Sequence, residues 1–213
     1  IMKKFPLPCC LSFALVTGTG MAADKATQLA KLETDPANSQ SAAHSPWESL
    51  NPKKLQLKST AALVLDQQGE AVYAKQVSEA QPIASITKLM TAMVILDSGL
   101  DLDEKITITK EDRDLIQLTG SRLQYGATLT RGQMLQLALM SSENRAAAAL
   151  ARTWPQGKEA FVAAMNTKAF SLGMHSSHFY DPAGLDARNV ASARDLGKMV
   201  SAAMSYPLIR KAT

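Results

Sequence analysis

The chain has 213 residues, of which 46% are hydrophobic and 20% are charged. This composition is typical of a globular protein with one domain or two small ones, and it excludes a chain that is disordered throughout. The formal net charge is +4, but basic and acidic residues are interspersed and aromatic residues make up only 5%, so the charge does not indicate a nucleic-acid partner.

Residues 1–22 are predicted to be a secretory signal peptide. Two lysines precede an apolar stretch that ends in small residues, with a cleavage site after Ala22. A membrane anchor is the alternative, but prolines interrupt the apolar stretch, which is shorter than the roughly 20 residues that span a bilayer. We therefore expect export to the periplasm without a stable membrane anchor.

The sequence offers few metal ligands. Both cysteines, Cys9 and Cys10, lie in the predicted signal peptide, so the mature chain should contain neither a disulfide nor a cysteine metal site. His44, His175 and His178 lack metal-ligand spacing, and the last two are predicted to lie at the surface. We expect no metal and no cofactor.

The first predicted elements follow a linker. Residues 23–57 are rich in Ala, Ser, Gln and Pro and are predicted to be a flexible linker. Two apolar runs around a Gly-containing turn predict a β-hairpin over 61–75. The run that begins at Ser85 is apolar on all sides, which predicts a core helix ending before Gly99.

The second half of the chain is predicted to be rich in helices. Residues 104–109 alternate as in a strand, and Thr130 with Gln133 forms a capping box in front of a second apolar helix. Further helices are predicted at 145–154, 158–174 and 193–205, the last behind a capping box of Ser192 and Asp195, and "YDPAGLD" (180–186) is predicted to be a turn. This order predicts an α/β lobe with an inserted helical lobe, although only two or three strands are visible.

Ser85 and Lys88 are the first candidate site residues. They are separated by one helical turn, so Oγ and Nζ can meet on one face. A lysine activates a serine only when neutral, and both burial and the positive end of the helix dipole lower its pKa. The alternative is a lysine that extends its ammonium group to water.

Ser142 and Asn144 are the second pair of candidates. The polar stretch "SSEN" lies between two helices that are otherwise predicted to be buried, so its side chains must be hydrogen-bonded or face a cleft. Ser142 could relay a proton, and Asn144 could bind a substrate amide. An ordinary turn between helices, with serine as a cap, is the alternative.

These motifs together resemble a known family. S-x-x-K followed by S-x-N is the motif order of the penicillin-recognising serine enzymes. The segments "PIASITKLMTAMVILD", "LALMSSENRAAAALA" and "ARDLGKMV" resemble the D-alanyl-D-alanine carboxypeptidase/endopeptidase family, and within it the D,D-endopeptidases. The resemblance implies an α/β fold of the β-lactamase/transpeptidase type: two lobes, with an antiparallel sheet flanked by helices and a helical lobe.

The resemblance also implies roles for the candidate residues. Ser85 would be the nucleophile that forms an acyl-enzyme, with Lys88 as its general base. Ser142 would pass a proton to the leaving amine, and Asn144 would bind the substrate. The implied partners are peptidoglycan peptide stems and their cross-links, with β-lactam antibiotics as covalent inhibitors. Residues 58–213 would be the N-terminal part of the peptidase domain.

One departure from the family pattern concerns its third motif, K-T-G. Neither K-T-G nor K-S-G occurs in the chain, and the last strands of the family's sheet are not visible. The motif supplies a substrate-carboxylate site and a donor to the oxyanion hole. We therefore expect a truncated chain that is inactive as it stands.

Three other functions remain open at this point. A D,D-carboxypeptidase of the same family would use identical chemistry. A β-lactamase is disfavoured because no E-x-x-L-N sequence follows Ser142, and "HSSHFYDPAGLD" contains no glutamate. An inactive wall-binding protein is compatible with the missing third motif, but binding alone requires no lysine beside a serine.

Overall fold

The computed structural model describes residues 54–55 and 57–212. The predicted signal peptide, His44 and nearly all of the predicted linker lie outside these residues. The chain divides into two compact units between Val77 and Ser78, and each is described by itself. No helix in the described part of the chain combines the length and the apolar character needed to cross a membrane.

The first unit contains the predicted β-hairpin. β1 (Ala62–Leu65) pairs in antiparallel fashion with β2 (Ala71–Lys75). The Asp66 carboxylate closes the turn by accepting hydrogen bonds from two backbone N–H groups at 2.9 and 2.8 Å. Gly69 adopts φ +90° there, which glycine does without steric cost. The hairpin predicted over 61–75 is confirmed.

The second unit combines helices with short strands. Its helices are α1 (Thr87–Asp97), α2 (Arg131–Met140), α3 (Asn144–Arg152), α4 (Gly157–Ser171), α5 (Ala193–Ala203) and α6 (Pro207–Ala212). Its strands are β3 (Ala80–Pro82), β4 (Lys105–Thr107), β5 (Thr128–Thr130) and β6 (Val190–Ser192), which form the antiparallel pairs β3–β6 and β4–β5.

Helix α1 is the core of the second unit. It packs against α2, α3, α4 and α5. Met90, Ala92, Met93 and Ile95 are all 0% exposed. A helix covered on all sides by other helices needs no polar face, which explains its apolar sequence. The predicted core helix is confirmed, although its first turn, around Ser85, is a 3-10 turn.

Helices α2 and α3 are separated by the polar "SSEN" stretch. The predicted capping box at the start of α2 is present: Thr130 Oγ1 accepts from the Gln133 backbone N–H (3.1 Å), and the Gln133 side chain accepts from the Thr130 backbone N–H (2.9 Å). At the start of α3, the Glu143 carboxylate accepts from the Arg145 backbone N–H. The break between the helices places Ser142 and Asn144 at their ends.

Some elements differ from the prediction. β3, β5 and β6 were not predicted, and β3 lies in a stretch expected to be a loop. Each has three residues, and β3 pairs with β6 far along the chain, so local patterns carry little signal for them. The second capping box forms only in part. Ser192 Oγ accepts from the Asp195 backbone N–H, but the Asp195 carboxylate binds Ser176 and Ser177.

Candidate functional site

Ser85 lies in the 3-10 turn Ala84–Ile86 that leads into α1. Ala84 adopts φ +45°, an uncommon conformation for a residue with a side chain. Gly184 lies against it so closely that a Cβ at 184 would be 1.8 Å from the Ala84 carbonyl oxygen. The backbone in front of Ser85 is therefore shaped by a contact with a distant loop.

Lys88 is buried in α1, with only 2% of its surface exposed. Its Nζ lies 3.1 Å from Ser85 Oγ and donates a hydrogen bond to the Ala183 carbonyl oxygen at 2.7 Å. The predicted contact across one helical turn is present, and the alternative of an ammonium group extended to water is wrong. The acceptor that holds Nζ is a neutral carbonyl, which can bind the lysine in either protonation state.

The environment of Lys88 favours its neutral form. Burial lowers the pKa of Lys88 from 10.5 to about 8, against a smaller opposing effect of the negative charges of Asp181 and Glu143. The Asp181 carboxylate accepts hydrogen bonds from four backbone N–H groups of its own loop, whereas Lys88 Nζ is bonded to the Ala183 carbonyl. A substantial fraction of Lys88 is therefore neutral near pH 8.

Ser142 completes a group of three side chains. Its Oγ lies 2.9 Å from Ser85 Oγ, across 57 residues of sequence. Ser142 adopts φ +54°, a conformation that costs energy for a non-glycine residue and that turns its side chain toward Ser85. Two hydroxyls and one amine are thus linked in the order Ser142, Ser85, Lys88.

Asn144 lies beside this group but is held by a different partner. It is the first residue of α3, and its Nδ2 donates to Thr119 Oγ1 at 3.0 Å. A cavity of about 790 Å³ is lined by Gly120, Ser121, Arg122, Leu123, Leu137, Ser141, Ser142, Glu143 and Asn144. Ser142 and Asn144 thus line one cavity. Ser85 is not among its lining residues, but its hydroxyl is hydrogen-bonded to Ser142.

The 180–186 loop, predicted only as a turn, is the part of the site that the sequence analysis missed. Asn189, 0% exposed, joins this loop to α1: its Nδ2 donates to Thr87 Oγ1 (3.1 Å) and to the Asp181 carbonyl oxygen (2.9 Å). Thr91 Oγ1 donates to the Pro182 carbonyl oxygen at 2.7 Å. These contacts place the Ala183 carbonyl over Lys88. The signal available in the sequence was the buried lysine itself, which needs an acceptor.

Among the described residues, no group of three or more His, Cys, Asp or Glu side chains could hold a metal ion. His175 and His178 are both exposed, as predicted. The polar groups that meet at Ser85 are those of serine, lysine and the peptide backbone. Their arrangement suits acyl transfer through a serine hydroxyl.

Comparison with known proteins defines the family. Residues 48–213 match the family model described as D-alanyl-D-alanine carboxypeptidase. The chain is 49% identical over 159 residues to the D-alanyl-D-alanine endopeptidase of Pseudomonas aeruginosa, covering 74% of this chain and 51% of that protein. It is 46% identical over 155 residues to the Escherichia coli D-alanyl-D-alanine endopeptidase, covering 72% of this chain and 50% of that protein.

Solved structures show the same fold. The crystal structure of the Streptomyces K15 DD-transpeptidase aligns with a TM-score of 0.66 at 32% identity, covering 71% of this chain and 62% of that one. The D-alanyl-D-alanine carboxypeptidase from Mycobacterium tuberculosis aligns with a TM-score of 0.64 at 31% identity, covering 72% and 59%. The expected α/β fold of the transpeptidase type is confirmed.

The fold and these relatives define a serine-type peptidase class. The chain belongs to the D-alanyl-D-alanine carboxypeptidase family. It spans about half the length of the curated endopeptidases that it matches.

Proposed function

We propose that the protein is a serine-type D,D-endopeptidase of the periplasm that cleaves D-Ala–meso-diaminopimelate cross-links in peptidoglycan. The observation that carries the proposal is the contact of Ser85 Oγ with both Lys88 Nζ (3.1 Å) and Ser142 Oγ (2.9 Å). The named relatives with the highest identity quoted above are D-alanyl-D-alanine endopeptidases, which supports this substrate class.

The reaction begins with activation of Ser85. Neutral Lys88 accepts the hydroxyl proton while its own N–H stays on the Ala183 carbonyl, so the amine need not move. Ser85 Oγ attacks the D-Ala carbonyl carbon, and the carbonyl oxygen becomes an oxyanion that the Ser85 backbone N–H stabilises. The conformation of the 3-10 turn Ala84–Ile86 therefore determines the position of both the Ser85 hydroxyl and the N–H that stabilises the oxyanion.

The tetrahedral intermediate then collapses. Ser142 delivers a proton to the departing amine. The Lys88 ammonium group then reprotonates Ser142 directly, because Ser85 Oγ is bonded to the substrate carbon at this stage and carries no hydrogen. The C–N bond breaks, leaving an ester on Ser85 and a free amino group on the released stem. Water, deprotonated by Lys88, hydrolyses the ester and restores the enzyme. Asn144 binds the peptide during these steps.

A β-lactam would acylate the same hydroxyl. Ser85 opens the lactam ring, and the amine of the opened ring stays attached to the acyl group, where it blocks water. The expected product is a long-lived penicilloyl ester. Prompt turnover of nitrocefin, instead of one-to-one trapping, would indicate a β-lactamase.

A D,D-carboxypeptidase is the second candidate, because the matching family model carries that description and a Streptomyces carboxypeptidase is 35% identical over 154 residues. The chemistry is the same, and only the leaving group differs: free D-Ala or a cross-linked stem. Release of D-Ala from a monomeric pentapeptide, with no cleavage of a cross-linked dimer, would favour the carboxypeptidase.

The deciding experiment is intact mass spectrometry of the protein purified from its native host, before and after incubation with benzylpenicillin. One penicilloyl group on Ser85 is expected, and none on a Ser85→Ala variant. Ser142→Ala should acylate slowly, whereas Ser171→Ala should behave as wild type, because Ser171 Oγ donates only to the Lys168 carbonyl at the end of α4 and Ser171 does not line the cavity. No gain in mass by a native protein whose mass shows residues beyond Thr213 would exclude the proposal, because residues 1–213 alone lack the K-T-G motif and are expected to be inactive. The starting mass also tests removal of residues 1–22.

We predict that acylation depends on pH through Lys88. Since only the neutral amine accepts the Ser85 proton, the rate should rise with pH and level off above a pKa of about 8. Stopped-flow measurement of acylation by a fluorescent penicillin between pH 6 and 10 gives the profile. A flat profile through this range would show that Lys88 is not the base.

A further inference from the structure

Arg122 is an unpaired cation at the cavity beside Ser142. Of the described residues that line this cavity of about 790 Å³, it alone carries a positive charge. Its side chain is exposed, and within residues 54–55 and 57–212 it forms no hydrogen bond, ion pair or aromatic contact. The guanidinium group therefore has all of its N–H donors available for another molecule.

The turn that carries Arg122 has a fixed position. Ser121 Oγ accepts a hydrogen bond from the Leu123 N–H at 3.0 Å, which closes a short turn around Arg122. The Leu123 carbonyl oxygen accepts from Arg145 Nη1 at 2.6 Å, and Arg145 belongs to α3, the helix that begins at Asn144. Arg122 thus extends from a turn that is tied to the same helix end as the candidate site.

A second arginine in this region is used for structure. Besides its hydrogen bond to Leu123, the Arg145 guanidinium lies over the Tyr125 ring, 4.3 Å from its centroid. A cation over an aromatic face is attracted by the ring quadrupole. Arg145 therefore holds the loop in place, and Arg122 contributes nothing comparable to the fold.

Glu143 lines the same cavity but does not neutralise Arg122. Its carboxylate caps α3, where Oε1 accepts from the Arg145 N–H at 3.1 Å. In the part of the chain that the structure describes, no ion pair joins Glu143 to Arg122. Two opposite charges in one lining remain separate, so the guanidinium can receive an anion from solution.

The proposed substrate carries suitable anions. In a peptidoglycan stem, glutamate is linked through its γ-carboxyl group and keeps a free α-carboxylate, and diaminopimelate carries carboxylates of its own. A planar guanidinium binds a carboxylate through parallel N–H···O bonds, which a neutral carboxamide cannot match.

We infer that Arg122 is a specificity-determining residue that binds a free carboxylate of the stem peptide, so that acidic stems are preferred to amidated ones. The inference rests on the proposed function, which supplies the peptide ligand. This carboxylate is a different one from that which the resemblance assigns to the K-T-G motif.

The contact should affect substrate binding more than the chemical step. Ser142 lines the cavity with Arg122, whereas the nucleophile Ser85 is not among the lining residues. A carboxylate bound there is remote from the bond that is cleaved, and its charge does not change during the reaction. Such a contact is equally strong in the ground state and the transition state, so it appears in KM and not in kcat.

Arg122→Gln tests the inference in the protein produced in its native host. Wild type should cleave a cross-linked dimer that has free carboxyl groups with a KM about 10-fold below that for a dimer amidated at one of them, the size expected for a charge-assisted contact that water partly screens. Amidation of glutamate alone, or of diaminopimelate in the acyl-donating stem alone, identifies the group. The preference should disappear in Arg122→Gln. A wild type indifferent to both amidations, or a preference that survives in the variant, would overturn the inference.

Arg194→Gln is the matched control. Arg194 lies on α5, is exposed, has no side-chain contact among the described residues and does not line the cavity. Its replacement removes the same charge and should retain the wild-type preference for the acidic dimer. An equal loss of preference in both variants would show an effect of net charge and contradict a contact at Arg122. The wild-type preference should also weaken with rising salt, because exposed charges are screened.

Binding to a Ser85→Ala variant separates this inference from the proposed function. The variant forms no acyl-enzyme, so anisotropy of a fluorescent pentapeptide stem reports binding alone. Its Kd for the stem with free carboxyl groups should be about 10-fold lower than for the amidated stem, and adding Arg122→Gln should remove the difference. If benzylpenicillin does not acylate wild type but this dependence on Arg122 is seen, the proposed function fails and the inference stands. If wild type is acylated but stem binding is insensitive to Arg122→Gln, the inference fails alone.

Discussion

A Gly184→Ala variant is expected to lose acylation of Ser85 and part of its stability. The new Cβ would lie 1.8 Å from the Ala84 carbonyl oxygen and 2.3 Å from its carbon, both backbone atoms that no rotamer change can move. Overlap and the left-handed backbone at φ +80° should together reduce the free energy of unfolding by about 3 kcal/mol. Acylation should fall by more than about 100-fold, because Ala84 directly precedes Ser85.

Gly99→Ala is the matched control for this variant. Gly99 also adopts a left-handed conformation, at φ +69°, but a Cβ there would meet no atom within 4 Å. It should cost about 1 kcal/mol from backbone strain and leave acylation at the wild-type rate. Thermal unfolding and penicillin trapping measure both variants. Wild-type acylation by Gly184→Ala would mean that the 180–186 loop does not position Ser85.

Lys88→Met is expected to slow acylation of Ser85 by about 10²–10⁴-fold, the usual contribution of a general base. Methionine fits the volume of the lysine stem in a site that is 2% exposed, so the fold should be retained. The Ala183 carbonyl loses its donor, which costs about 1–3 kcal/mol. Removal of a desolvated amine offsets part of this cost. Circular dichroism and stopped-flow acylation test both expectations.

Lys168→Met provides the comparison. Lys168 is also partly buried and forms an ion pair with Asp97 at 2.8 Å, on α4 and away from Ser85. It should change stability without changing acylation. In Lys88→Met, the remaining acylation rate should no longer increase with pH around pH 8, because the titrating amine is gone. A wild-type rate in Lys88→Met would show that Lys88 serves packing only.

Local spacing was enough to predict the first contacts of the site. Ser85 and Lys88 are one turn apart, and the helix geometry brings their side chains to 3.1 Å. The break between α2 and α3 was visible as the polar stretch "SSEN" between two predicted helices that are mostly apolar. The sequence also contained the capping box of Thr130 and Gln133, whose two bonds depend only on residues three apart.

Contacts between distant segments could not be predicted in this way. The Ala183 carbonyl reaches Lys88 across 95 residues, and Thr119 reaches Asn144 across 25. The acceptor from Ala183 is a backbone atom, which every residue type carries, so no residue pattern identifies it. The pairing of β3 with β6 could not be predicted from local sequence either. Each strand has only three residues, and tertiary packing, not local strand preference, brings them together.

The long separations between the contacting groups have a consequence for the nascent chain. In an unfolded polypeptide the Lys88 amine is fully hydrated, carries its proton at neutral pH and is far from the Ala183 carbonyl. Ser85 is then an ordinary, unreactive alcohol. Only after the ribosome has released residues beyond Asn189, and the second unit has folded around α1, is Lys88 buried with its amine held by the Ala183 carbonyl. The arrangement on which the proposed reactivity of Ser85 depends is thus a late product of folding.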